Sequence, residues 1–464
     1  MAIVFVLLWP LMASAEILPH YPSTYELGGG YTLFSDEPSG MAVEHMDTKD
    51  SFGIAADIET YPLPTRFHLE LSLLSPRDLY LDTGLAYRDI LLSRFIATRS
   101  VHNIENPSLS EKDPDTTHLY HDQALQRFYT LRNSFYDLNL RLKAPGYPFH
   151  LFGKYLAYHQ KGTVEQNYLI GYFTTNMDIY SKERPTKKKT ETYSAGVNGH
   201  FGPLEGEYLY TYKTFDPSGT TVLYDNYPQI LSRQPGTYAH NLLPELTSSS
   251  HTFKVHTNYT GRIVASVTVS SSTEENNYSD VTRDILRLST GLRYLPAHWL
   301  TLSLQGTYQK TKEDAPLTTT INNQYTYSVR RPPEVETSNI KATLRLRPLG
   351  KLTLLLDYKF QNKNLSQTAD WPLLKGDGQY QSLGLKAMAP VGKVLKIRAV
   401  YNHEENDPVY NTEPDSADSV HLLAEVLYPS YFTPVIYYQW KNSERKGLKY
   451  YNTVNQNVFN LSEK

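Results

Sequence analysis

The chain reads as an all-β protein: one transmembrane antiparallel β-barrel of about 20 strands (roughly 18 to 22), with short periplasmic turns and long extracellular loops. Three observations carry this. Period-2 alternation of apolar and polar residues recurs from Tyr25 to the C-terminus, with no sustained 3.6 period. Tight Gly/Pro turns alternate with long polar connections. Tyr is in excess, 38 against 16 Phe and 4 Trp, which suits rings placed at a membrane–water boundary.

The N-terminus reads as an address. Residues 2–12 (AIVFVLLWPLM) form an apolar run followed by the small-x-small sequence Ala13-Ser14-Ala15. This predicts a signal peptide over 1–15, cleaved before Glu16, and export from the cytoplasm. No Lys or Arg precedes the run. Residues 16–464 form the second predicted unit, the barrel, and the location expected is the bacterial outer membrane.

Alternation is clearest in five segments. Phe67, Leu69, Leu71 and Leu73 oppose Arg66, His68, Glu70 and Ser72. Tyr136, Leu138, Leu140 and Leu142 oppose Asp137, Asn139, Arg141 and Lys143. The same pattern runs through 298–309, 340–347 and 352–361. Successive strand side chains point to opposite faces, so each segment has one apolar and one polar face. Eight hairpins follow: 66–74/78–88, 128–143/149–160, 190–201/204–214, 251–259/262–270, 283–295/298–310, 338–347/351–361, 380–389/394–402 and 419–428/432–441. Further strands are expected near 27–35, 51–61, 167–180 and 448–461, and long loops at 96–125, 215–249, 271–282, 311–337, 361–379 and 403–418. The segment 167–189 and the Pro62–Pro64 turn break the up–down rhythm.

A wall of this size has a backbone diameter of roughly 40 Å and a lumen of about 25 Å. With strands starting soon after the cleavage site, a tethered N-terminal plug is not expected. Basic residues on polar faces flank the tight turns: Arg141, Lys143, Arg293, Lys341, Arg345, Arg347, Lys396 and Arg398. They predict a collar near the periplasmic mouth. Glu70, Asp82, Glu205, Glu207, Asp357 and Glu425 supply the opposite sign. Such a lumen would filter solutes by charge or dock a partner, although any barrel interior is polar.

Other functions find little support. Absence of Cys rules out thiolate metal sites and covalent c-type haem on this chain. A net charge of −3 and a pI near 6.6 argue against a nucleic-acid binder. Lys187-Lys188-Lys189 reads as a solvated loop or a contact to lipid phosphate. Acidic segments 403–418 and 111–122 read as solvated loops, and His118, His121 and Asp122 lack a recognised ligand frame. No G-x-S-x-G, HExxH or P-loop is present. Neither an enzyme, a cofactor nor a metal site is therefore expected.

The apolar leader, the Tyr-rich hairpins and the missing plug resemble bacterial outer-membrane porin-like channels. The narrower resemblance is to the barrel component of porin–cytochrome conduits, which covers nearly the whole mature chain. This chain departs from some members in having no N-terminal CxxC. The resemblance implies passage across the outer membrane without catalysis, or a sheath around a periplasmic multihaem cytochrome. The partners implied are membrane lipid and lipopolysaccharide, with small solutes or that cytochrome in the lumen. An inward fold of 215–249 or 96–125 would favour the channel.

Overall fold

The computed structural model describes residues 4–8, 23–33, 44–45, 50–61, 64–88, 90–112, 119–126, 128–172, 176–229, 233–257, 261–321, 325–348, 351–366, 370–371, 377–392, 394–407, 414–426, 435–452 and 457–463. Strands account for almost all of it.

The first strands are short: β1 Val4–Leu8, β2 Thr24–Thr32, β3 Ser51–Thr60, β4 Thr65–Ser75, β5 Asp78–Tyr87 and β6 Leu91–Glu105. After a helical turn at Leu109–Lys112 and β7 Leu119–Asp122 the strands lengthen. They run β8 Phe128–Lys143, β9 Phe149–Tyr172, β10 Asn176–Phe201 and β11 Leu204–Gly219. A small hairpin follows, β12 Leu223–Tyr227 and β13 Gly236–His240. The meander resumes with β14 Leu246–Thr257, β15 Ile263–Asn276, β16 Val281–Ala297 and β17 Leu300–Asp314. A second small hairpin, β18 Thr318–Ile321 and β19 Tyr325–Ser328, precedes β20 Glu334–Leu346, β21 Thr353–Ser366, β22 Asp377–Val391 and β23 Leu395–Asp407. The last strands are β24 Ser416–Val426, β25 Val435–Asn452 and β26 Asn457–Glu463.

One sheet holds 22 of these strands. Each strand of the meander pairs antiparallel with its neighbour, β6 going directly to β8, β11 to β14 and β17 to β20. The exception is β7, which lies parallel to the upper edge of β10. Among the described residues that edge has no other strand partner, because β11 stops opposite Thr186 at Gly219. An open strand edge is an aggregation hazard, and β7 covers it.

Register decides the two faces. One row of directly paired residues runs Ile263, Tyr294, Leu302, Leu344, Leu356, Leu385, Tyr401, Val420, Trp440 across β15 to β25. One step along each strand the row reads Arg293, Ser303, Thr343, Asp357, Gly384, Asn402, Ser419, Lys441. Among the described residues no layer covers the apolar face: Phe253, Leu304, Ile340 and Leu385 are between 46% and 53% exposed. A continuous exposed apolar surface of this extent is tolerated only against lipid. The fold is that of an outer-membrane β-barrel. Its polar face is the lumen side.

Several expectations change. The segment 167–180 is not a separate strand but the tip of one hairpin, the end of β9 and the start of β10, in register from Gly199↔Phe149 to Asn176↔Tyr172. That resolves the break in rhythm at 167–189. The connection expected at 271–282 shrinks to 277–280 between extended strands. Residues 96–105, expected in a loop, belong to β6. Lys187-Lys188-Lys189 lies within β10, paired on both sides. Val4–Leu8, inside the expected leader, pairs with β2 from Val4↔Thr32 to Leu8↔Gly28; its predicted cleavage site lies outside the described residues.

The long strands overshoot the membrane. A spanning strand needs about 9–11 residues, whereas β9 has 24 and β10 has 26. Their upper halves stand beyond the bilayer at the long-loop end.

Candidate functional site: the lumen wall and its covering hairpin

All fourteen charged residues expected on the lumen wall lie on the polar face or, for Arg347, just past the end of β20. Their neighbours alter the expected picture. Lys396 meets Glu425 at 3.4 Å, and Glu205 sits in the same tier near a tight turn. The short-turn end therefore carries both signs, with Lys396 paired to Glu425. Glu205 accepts from Asn198 at 2.8 Å and lies 3.2 Å from His200 and 3.7 Å from His256. Asp82 is gripped by Arg94, with Nε at 3.1 Å and Nη2 at 2.6 Å, and by His68 at 3.2 Å. Asp357 accepts from Thr343 Oγ1 at 2.6 Å.

Sign is instead segregated by arc. On β2 to β5 the lumen face carries Glu26, Asp57, Glu59, Glu70 and Asp82 against Arg66. On β16 to β23 it carries Arg283, Arg287, Arg293, Lys341, Arg345, Lys359, Lys363, Lys386, Lys396 and Arg398, with Glu313, Asp357 and Glu404 among them. Sequence alternation finds each face. Only strand order shows that the acidic residues share one arc and the basic ones another.

The feature that sequence reading leaves open is the segment 220–245. Its hairpin, β12–β13, packs on the upper half of β9–β10. Leu223 joins Tyr168 and Ile170 in a buried cluster, with Tyr180 and Tyr227 against it. By alternation, Tyr168, Ile170, Tyr180, Lys182 and Arg184 share the face of Phe152 and Lys154 lower in the hairpin, which is the lumen side. Lipid covers only the outer face of the wall, so apolar side chains on this one are buried only if the chain itself supplies a lid, at about 25 cal/mol per Å² of apolar area covered.

Polar contacts fix the hairpin. Arg184, 3% exposed, donates to the carbonyls of Thr220 (2.8 Å), Thr221 (2.9 Å) and Asn241 (2.8 Å), and to Gln166 Oε1 (3.1 Å). One guanidinium thus clamps both ends of the inserted segment to β10, using its planar fork of donors. Asp225 takes His240 Nε2 at 2.9 Å and Lys182 Nζ at 3.2 Å. Burial would raise the Asp225 carboxyl, but these two bonds outweigh it and hold it below its ordinary value. Arg233 lies over the Tyr227 ring at 4.7 Å.

The other long connection is ordered too. Asp122 accepts from Ser181 Oγ at 2.5 Å and from the Leu109 amide at 3.1 Å. Asn106 donates to the carbonyls of Ala124 and Gln126. His121 bonds Asp178 at 3.1 Å and stacks on Tyr180. These residues hold β7 against β10. His118, considered with them from the sequence, lies outside the described residues.

Two outcomes are expected here. Arg184→Ala takes the guanidinium donor from the Thr220 and Asn241 carbonyls, while Thr221 keeps the Leu243 amide; at about 1 kcal/mol or more for each lost bond, the 220–245 segment should become protease-sensitive while the barrel stays heat-modifiable on gels. The Asp225 contacts obey the sign rule for a depressed carboxyl: stabilisation is present above its unfolded value near 3.8 and is lost as pH falls through the lower folded value. Protease access to the segment should therefore be flat from about pH 5 to 8 and rise only in stronger acid.

No family model matches the chain, and no curated protein matches it. Solved structures do. A loop L8 deletion mutant of OmpT, an outer membrane protein of Vibrio cholerae, is 9% identical, with 79% of this chain and 95% of that chain covered and a TM-score of 0.31. The copper transporter OprC is 9% identical over 87% of this chain and 69% of that one, at 0.43. The ferric yersiniabactin uptake receptor FyuA from Yersinia pestis is 10% identical over 91% and 67%, at 0.39. At these scores the fold rests on the strand rows themselves.

Proposed function

We propose that the chain is a passive outer-membrane channel for small polar solutes, exported by a cleaved signal peptide and without catalytic activity. The observation that carries this is the β12–β13 hairpin clamped by Arg184 on the lumen-side face of β9–β10. A loop that folds over the lumen face narrows a water-filled path. It also takes up space that a protein threaded through the lumen would need. The segregated arcs support the same reading. In a closed wall of this strand order, β2–β5 and β16–β21 face each other, so a solute crosses between acidic and basic sides. That arrangement orients dipolar and zwitterionic solutes rather than passing one sign alone.

The test is the protein purified natively from outer membranes in mild detergent, read by absorption and by planar-bilayer conductance. A colourless, heat-modifiable protein that forms steady conducting channels is expected. A stoichiometric Soret band carried by a second, co-purifying polypeptide with covalent haem would mean a bound cytochrome, since a chain without Cys holds no c-type haem of its own. The sheath reading would then replace the channel.

A further inference from the structure

The rim of the wall is lowest at β4–β5, whose connection is only Pro76-Arg77. β6 rises above it: its pairing with β5 ends at Leu79↔Arg99, yet the strand continues to Glu105. The edge left over is used by the β2–β3 connection, where the Glu44 carbonyl accepts from the Asn103 amide at 2.7 Å. This sets Glu44 and His45 beside His102. Glu44 Oε1 lies 2.9 Å from His102 Nε2 and 3.8 Å from His45 Nε2. The two imidazoles stack with centroids 4.8 Å apart at 26°. One donor atom from each of the three residues falls within 4.8 Å of the others.

We propose that Glu44, His45 and His102 bind one borderline divalent transition-metal ion, Zn²⁺, Cu²⁺ or Ni²⁺, at the long-loop rim. Two imidazoles and one carboxylate are a donor set for such ions, not for Ca²⁺ or Mg²⁺, which take oxygen ligands. Donors on a tetrahedral ion with bonds near 2.0–2.1 Å sit about 3.3 Å apart, so the observed separations close by small side-chain rotations. A plain ion pair accounts for His102 with Glu44 but leaves the second imidazole stacked on the first around the same carboxylate. A metal uses the lone pairs of both. Access is open, since the His45 side chain is 71% exposed and Glu44 42%, which leaves room for water as further ligands. The bound ion would tie the β2–β3 connection to β6 across the gap above β4–β5.

The test is a Cu²⁺ titration of the folded full-length chain in detergent, followed by electron paramagnetic resonance. One stoichiometric site with splitting from two imidazole nitrogens is expected. His45→Gln with His102→Gln should lose that equivalent while remaining heat-modifiable, and His298→Gln, in the β16–β17 turn, should keep it. A residue-specific readout needs no variant: bound Zn²⁺ should protect His45 and His102 from diethyl pyrocarbonate, located by mass spectrometry. No stoichiometric site in the unmodified chain, retention of it by the double variant, or equal labelling with and without Zn²⁺ would each overturn the proposal.

Discussion

Replacing residues 221–243 by a short Gly-Ser turn should raise single-channel conductance several-fold and leave the barrel folded. The wall does not depend on the segment: β11 and β14 pair directly from Leu204↔Thr257 to Phe215↔Leu246. What is lost is the cover over Tyr168 and Ile170 and the carbonyls bonded by Arg184. The lumen of a wall this size is wide, about 25 Å before loops fold in, so an inward hairpin should dominate its resistance. Bilayer recordings of the deletion beside the intact chain decide it. Equal conductance would place the hairpin away from the ion path and remove the main support for a constricted channel.

Arg345→Glu combined with Arg347→Glu should move the permeability ratio towards cations by several-fold. Arg345 lies on the lumen face opposite Thr301 and Leu355, inside the basic arc that also holds Arg293, Lys341, Lys359, Lys386 and Arg398. Arg347 follows β20, with its amide on the Trp299 carbonyl at 2.7 Å. Two reversals change the local charge by four, and neither side chain is needed for strand pairing. Screening sets the condition: the Debye length is about 10 Å at 0.1 M salt and about 3 Å at 1 M. The shift in reversal potential under a KCl gradient should therefore be large in dilute salt and shrink in concentrated salt. A ratio unchanged at low salt would mean that the arc does not line the conducting path.

Much of the wall is legible in the sequence because lipid enforces it. Where a strand crosses the bilayer, one face must be apolar, and alternation such as Leu300, Leu302, Leu304 against Thr301, Ser303, Gln305 marks it. Legibility fails where that pressure is absent. β6 escapes notice because Leu92 and Ile96 place apolar side chains on the lumen face beside Arg94, blurring the period. In the upper halves of β9 and β10, 167–180 reads as one strand rather than as two hairpin ends, and 181–189 escapes because no lipid covers it: its pattern is polar, Lys187 to Lys189 included, and reads as loop.

The candidate sites divide along the same line. Residues on a polar face are found from a period of two. Their sharing of sign by arc is not, since Glu26 and Asp82, or Arg293 and Arg398, are brought into one wall only by strand order. Arg184 shows nothing in the sequence that separates it from any strand arginine. Its role appears when Thr220, Thr221 and Asn241 are folded onto it. Glu44, with His45 beside it, meets His102 from 58 positions away in the chain, through one backbone bond to Asn103.

By itself the sequence determined the strand-rich character, the two chemically distinct faces and most of the turns, because each is a local consequence of side-chain alternation and backbone dihedral preference. Tertiary structure alone decided the reach of β9–β10 above the membrane, the hairpin that lies on its lumen-side face, and the meeting of Glu44, His45 and His102. Those depend on contacts between residues far apart in the chain, whose free energy is not written in any one segment.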